Sequence, residues 1–223
     1  MSEPAPLRLR DYTLTYRATG LRALNRRELR ERVVSAPDDS LFLHFWGRLL
    51  RPGWSPGEYG NDLANWAAED LHDLVLAERL ALVDPRRHAT IEDLRNRVLQ
   101  ILEERLEEPG VPATEAQEGH GFHFLMAHVV IYDTDELLGH PEELPRRLPG
   151  LPTTSLLHHF VDAPGSPVHA GAEMQGWLRG WGRAGQELAE RLETVDLFLH
   201  DEAGLRQRLV AMTEATLGNG GTT

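Results

Sequence analysis

A chain that writes the same phrase twice can fold in only a few ways. Here SLFLHF at Ser40–Phe45 returns as SLLHHF at Ser155–Phe160, 115 positions on. Other pairs follow in the same order: Trp66 with Trp177, LAERL at Leu76–Leu80 with Leu188–Leu192, Val83-Asp84 with Val195-Asp196, and Leu94-Arg95 with Leu205-Arg206. Their offsets are 111 or 112. One short match is a coincidence, but an ordered series argues for duplication of a structural unit. The drop in offset between the His-Phe pair and the Trp places a deletion-tolerant loop there.

The two halves begin alike. DYTLTYRAT (Asp11–Thr19) alternates polar and apolar residues, and FHFLMAHVVIY (Phe122–Tyr132) is apolar and aromatic, so both read as strands. Helices follow. Asn25 is placed to cap NRRELRERVV, and the Asp38-Asp39-Ser40 cluster to cap the helix bearing SLFLHF. One long helix is expected from Asn61 to Val83, and Thr90 with Asp93 resembles a capping box opening the next. In the second half Thr154 is placed to cap the SLLHHF helix and Asp201 the last helix. Gly171, Gly176, Gly180, Gly182 and Gly185 weaken the long helix between them. The expected organisation is a first repeat at 1–107, a Pro/Gly/Glu-rich linker at 108–121, a divergent second repeat at 122–217 and a disordered tail at 218–223. Each repeat holds one strand, and a lone strand needs a partner for its backbone groups. Pairing the two strands, or adding one short strand, gives a mainly α (α+β) fold, the repeats packed as one pseudo-twofold compact domain.

Charge and composition narrow the function. A net charge of −12 is the wrong sign for phosphate backbones and for anionic membrane surfaces, so neither nucleic acid nor membrane is an expected partner. There is no cysteine, which removes disulfides, thiolate catalysis and cysteine-ligated zinc. No apolar run approaches a spanning helix, and MSEPAPLRLR lacks the apolar core of a signal peptide, so the expected address is the cytoplasm.

At Ser40-Leu41…His44, Asn61-Asp62-Leu63-Ala64-Asn65-Trp66, Leu76–Leu80, Asp84 and Leu94-Arg95, the chain resembles a bacterial and archaeal domain family of unknown function. The first repeat carries the pattern over about a hundred residues. The second departs from it, with Ala172-Glu173 at the Asn-Asp position and Gly176 where the first has Asn65. The resemblance implies the architecture and carries no settled activity. Some members sit beside sugar-polymer or trehalose enzymes, which implies an accessory role.

Several residues are candidates for chemistry. His44 and Asp62 could form a His–carboxylate pair that orients a base or holds a metal, or that simply ties two helices. His159 and Glu173 keep a His and a carboxylate in the second repeat. His72-Asp73 matches the HD dipeptide of metal-dependent phosphohydrolases, which also need a distant His and Asp. His120, His123, His128, His158, His159 and His169 crowd the second half at spacings that fit no recognised metal site. Trp54 and Tyr59, with Asn61 and Asn65 beside them, are candidates for ligand contact, the aromatics by stacking on sugar rings. The basic run Arg22, Arg26, Arg27, Arg30 and Arg32 is offset by Glu28 and Glu31 and reads as a solvated helix face. Duplication without a complete catalytic set favours a non-enzymatic binding, regulatory or accessory module. It needs no cofactor, and its ligand is a protein partner or a small molecule. The alternatives are a metal-assisted hydrolase built on His44/Asp62 with His72/Asp73, and a carbohydrate-binding accessory domain.

Overall fold

The computed structural model describes residues 3–47, 59–160, 171–195 and 201–217. Two strands, β1 (Leu7–Ala23) and β2 (Phe122–Leu138), pair in one antiparallel sheet. Their register is marked by side chains on opposing carbonyls: Thr19 donates to Phe124, Thr15 to His128 and Thr134 to Leu9. Both strands run longer than the alternating patterns alone predict. Each begins with two inward residues separated by an outward one: Leu7 and Leu9 in β1, Phe122 and Phe124 in β2.

The helices are α1 (Arg26–Ser35), α2 (Asp38–Trp46), α3 (Asp62–Glu69), α4 (Leu74–Ala81), α5 (Ile91–Glu107), α6 (Leu144–Arg147), α7 (Thr153–Phe160), α8 (Gly171–Arg179), α9 (Gly182–Glu193) and α10 (Glu202–Leu217). They fall into two compact units. The first holds α1 to α5 with residues 14–23 of β1 and the opening of β2 as far as His128. The second holds α6 to α10 with the opening of β1, as far as Thr13, and the rest of β2.

In the first unit, α5 buries Leu94, Val98, Ile101 and Leu102, the stripe of an amphipathic helix, beside α1, α2 and α4. Asn25 caps α1 by accepting from the Glu28 N–H, and Thr90 with Asp93 closes a reciprocal capping box on α5. Arg95 is buried on that stripe and donates to the Val33 carbonyl near the end of α1 and to Asp38 at the start of α2, locking the α1–α2 corner. In the second unit Arg206 donates to the Leu148 and Leu151 carbonyls and to Thr153, at the corner before α7. LAERL buries Leu76, Ala77 and Leu80 in α4 and Leu188, Ala189 and Leu192 in α9.

Some expectations need correction. The long helix expected over Asn61–Val83 is two helices. His72 takes φ 52°, a left-handed conformation that ends the helical path, and Asp73 starts α4 afresh by accepting from the Leu76 N–H. The Asp38-Asp39-Ser40 cluster lies inside the first turn of α2, after Pro37, and does not cap it through a side chain. Thr154 likewise lies inside α7, which begins one residue earlier. Asp201 does cap α10, accepting from the Gly204 N–H at 2.7 Å. Gly182 sits at φ 73°, and Gly185 lets α9 press so closely on α8 that a Cβ would meet the Leu178 carbonyl oxygen at 2.1 Å. Among the described residues no helix is long and apolar enough to cross a membrane.

Candidate functional site

His44 is presented by α2, a helix buried on every side from Ser40 to Trp46. Its ring is 4% exposed and lies 4.7 Å from the Phe122 ring and 5.8 Å from the Phe124 ring. Nε2 accepts the backbone N–H of Leu125 at 3.1 Å. A ring nitrogen that accepts a hydrogen bond carries the lone pair, so the neutral ring bears its proton on Nδ1. That Nδ1–H donates to Asp62 at 3.0 Å. Asp62 is where it is because Asn61 caps α3: the Asn61 Oδ1 accepts from the Ala64 N–H at 2.9 Å and its Nδ2 donates to the Leu80 carbonyl of α4 at 2.9 Å. Asn65 donates to the Asn61 and Tyr59 carbonyls, and Trp66 Nε1–H donates to the His120 carbonyl at 2.7 Å. The N-D-x-A-x-W phrase therefore caps a helix, braces it to the next, holds a histidine and grips the segment that leads into β2.

The second unit places a His and a Trp in the same roles, but Ala172 and Gly176 supply no counterpart to the Asn61 and Asn65 bonds. His159 on α7 is 1% exposed, and its Nε2 accepts the Arg10 N–H at 2.8 Å. Trp177 Nε1–H donates to the Ala5 carbonyl at 2.9 Å. Glu173 does not reach the histidine. Arg10 takes it in a 3.0 Å ion pair, so His159 Nδ1 is buried without a hydrogen-bond partner. Burial, the adjacent His158 and the Arg10 charge together push the His159 pKa down to about 3, and the ring is neutral at ordinary pH.

A third centre was missed at the level of sequence. Asp73, with a side chain 2% exposed, accepts from Arg26 at 2.6 Å and from Arg105 at 2.8 Å. Burial alone would raise its pKa. Hydrogen bonds from Arg105 and the Leu76 N–H, with the charges of Arg105 and Arg26, outweigh that and hold the carboxyl below the usual range. Arg105 also pairs with Glu108, which Arg79 binds from the other side. Arg26 goes on to donate to Thr114 and to the Pro112 carbonyl, fastening the connector between the strands to α1. The reading of Arg26 as part of a solvated face is thus wrong. Its spacing shared with Leu29 and Val33, both buried, was the available signal. Beside this centre lies a cavity of about 500 Å³ lined by Asn25, Arg27, Leu106, Thr114 and Glu115 among others.

The remaining candidates are dispersed. His72 is exposed at the α3–α4 break, while Asp73 is held in its arginine pair. His120 is exposed and pairs with Asp70 at 2.8 Å, and His123 and His128 are exposed on β2. Tyr59 is half-buried. Trp54 and His169 lie outside the described residues. Among the described residues no group of three or more acidic or histidine side chains converges as a metal site would require.

A family of unknown function (DUF5752) matches residues 4–214. The chain belongs to this family. The uncharacterised domain that the S-L-x-x-H, N-D-x-A-x-W and L-A-E-x-L motifs resembled is therefore the right kind of assignment. Among solved structures, the chain is similar to OrfY from Thermoproteus tenax, with a TM-score of 0.72 and 24% identity over 97% of each chain, a likeness of fold. No curated protein matches it.

Proposed function

We infer that this protein is a non-enzymatic binding or regulatory module. The observation that carries the reading is the commitment of His44. One ring nitrogen is spent on the Leu125 N–H and the other on Asp62, so the ring has neither a free lone pair for a metal nor a free base for a substrate. His159 has its lone pair spent on the Arg10 N–H in the same way. Asp73 is spent on two arginines, and Asn61 on a cap and a brace. In this reading the two buried histidines tie helix to strand through the Leu125 and Arg10 N–H groups, and the His44–Asp62 pair ties α2 to α3. The cavity beside Arg27 has a volume in the range of small-ligand sites and is the place where a small molecule would be held.

The test sets binding against turnover. The full-length protein is screened by thermal shift against small sugars, carboxylates and phosphates, with Arg27→Ala as the matched control. A shift that Arg27→Ala abolishes supports the reading. The same protein is assayed with p-nitrophenyl phosphate and added manganese or zinc. Turnover that vanishes in both His44→Gln and Asp62→Asn, with folding intact, would overturn it in favour of a hydrolase.

A further inference from the structure

The two histidine centres have a common design. In the first unit His44 and Trp66 come from the first half of the chain, yet what they grip is residues 120–125 of the second half: the His120 carbonyl, the inward Phe122 and the Leu125 N–H. In the second unit His159 and Trp177 come from the second half, and they grip residues 5–10 of the first: the Ala5 carbonyl and the Arg10 N–H, with Leu7 and Leu9 buried between. The gripped segments match position for position. Ala5 stands to Arg10 as His120 stands to Leu125, and both carry inward apolar residues at the second and fourth places after the gripped carbonyl. An indole N–H reads a carbonyl at one end, an imidazole lone pair reads an N–H five residues on, and the apolar pair fills the space between them.

We propose that the chain contains two copies of one strand-receiving site, a His–Trp clamp for an extended segment of the form carbonyl-x-apolar-x-apolar-N–H, and that each clamp is filled by the strand opening of the opposite repeat. The partner this site fits is thus an extended segment of this chain, supplied within one molecule here and open to supply by a second copy. The exchange accounts for the dispersion of each repeat over both compact units. It also accounts for the conserved spacing of the SLxxHF phrase within the chain: the His at its fifth position must face a strand edge, because a strand in a two-stranded sheet leaves alternate N–H groups without a sheet partner. The second copy departs on both sides of the clamp, with Ala172-Glu173 in place of Asn61-Asp62 and a changed residue in the segment gripped. Arg10 stands where the other segment has Leu125, and its guanidinium draws Glu173 away from the histidine.

Two experiments on the whole chain decide it. The first is amide hydrogen exchange on the intact protein. His44→Ala should speed exchange at Leu125 about tenfold or more, the value of one ordinary hydrogen bond, and leave Arg10 unchanged. His159→Ala should do the reverse. Uncrossed or uniform effects would overturn the assignment. The second introduces a protease site at Gly110, an exposed turn in the connector at φ 78°, and cuts the folded protein there. Nicked protein should elute as one species, and isotope-labelled and unlabelled nicked samples should form mixed pairs of halves in native mass spectrometry, faster when His44 is Ala. Halves that separate as two folded species, or an exchange rate indifferent to His44, would sink the proposal.

Discussion

Acid should destabilise this protein through His159 before its carboxylates titrate. His159 has an ordinary pKa of 6.5 when unfolded and about 3 when folded. The folded state thus binds fewer protons across that interval, and the stability contributed by the neutral ring is whole above pH 6.5 and drains away as pH falls toward 3. At about pH 5 the unfolded chain is favoured by roughly 1.5 pH units of proton uptake, or about 2 kcal/mol at 1.4 kcal/mol per unit. The side chain is 1% exposed, so solvent screening takes little from this figure. His159→Gln is the matched variant, because a glutamine oxygen can still accept the Arg10 N–H but does not titrate. Urea unfolding at about pH 7.5 and about pH 5 should show the wild type losing about 2 kcal/mol more than the variant over that interval. Equal losses would refute the claim that the ring stays neutral in the fold.

Three further outcomes follow from the geometry. Asp73→Asn leaves the buried Arg26 without its ion pair and Arg105 with Glu108 alone, and should cost about 3 kcal/mol by chemical denaturation. Trp66→Phe keeps the aromatic contact with Phe122 but loses the bond to the His120 carbonyl; a loss of about 1 kcal/mol is expected, with faster amide exchange at the start of β2 as the local readout. Thr90→Ala removes one side of the capping box on α5 and should lower stability by about 1 kcal/mol, seen as a lower Tm with no change in the fold by circular dichroism.

Much of this architecture could be read from local patterns. Asn25, Asn61, Thr90 and Asp201 announce helix starts because a short polar side chain before an apolar stripe satisfies the first N–H groups. The need of a lone strand for a partner pointed to β1 pairing with β2 or with an added short strand, and the sheet holds the first pairing. The break at His72 was hidden because Leu63, Trp66, Leu74 and Ala77 keep helical spacing across it; the capping aspartate at 73 was the overlooked cue. The arginine hub was hidden for another reason. Arg26 and Asp73 lie 47 residues apart, and no local pattern links charges that meet only after folding. The same holds for the histidine clamps. Their partners are backbone groups of Leu125 and Arg10, and a backbone N–H leaves no mark in a sequence.

The hub at Asp73 also limits how this chain can change over generations. Losing the aspartate strands Arg26 and leaves Arg105 with Glu108 alone, while losing either arginine leaves a buried carboxylate with half its support. Each single step is costly, whereas replacing the whole set by apolar side chains of similar volume is not. The three positions should therefore change together. Relatives should show aspartate with both arginines or an apolar trio, and the mixed combinations should be the rare ones.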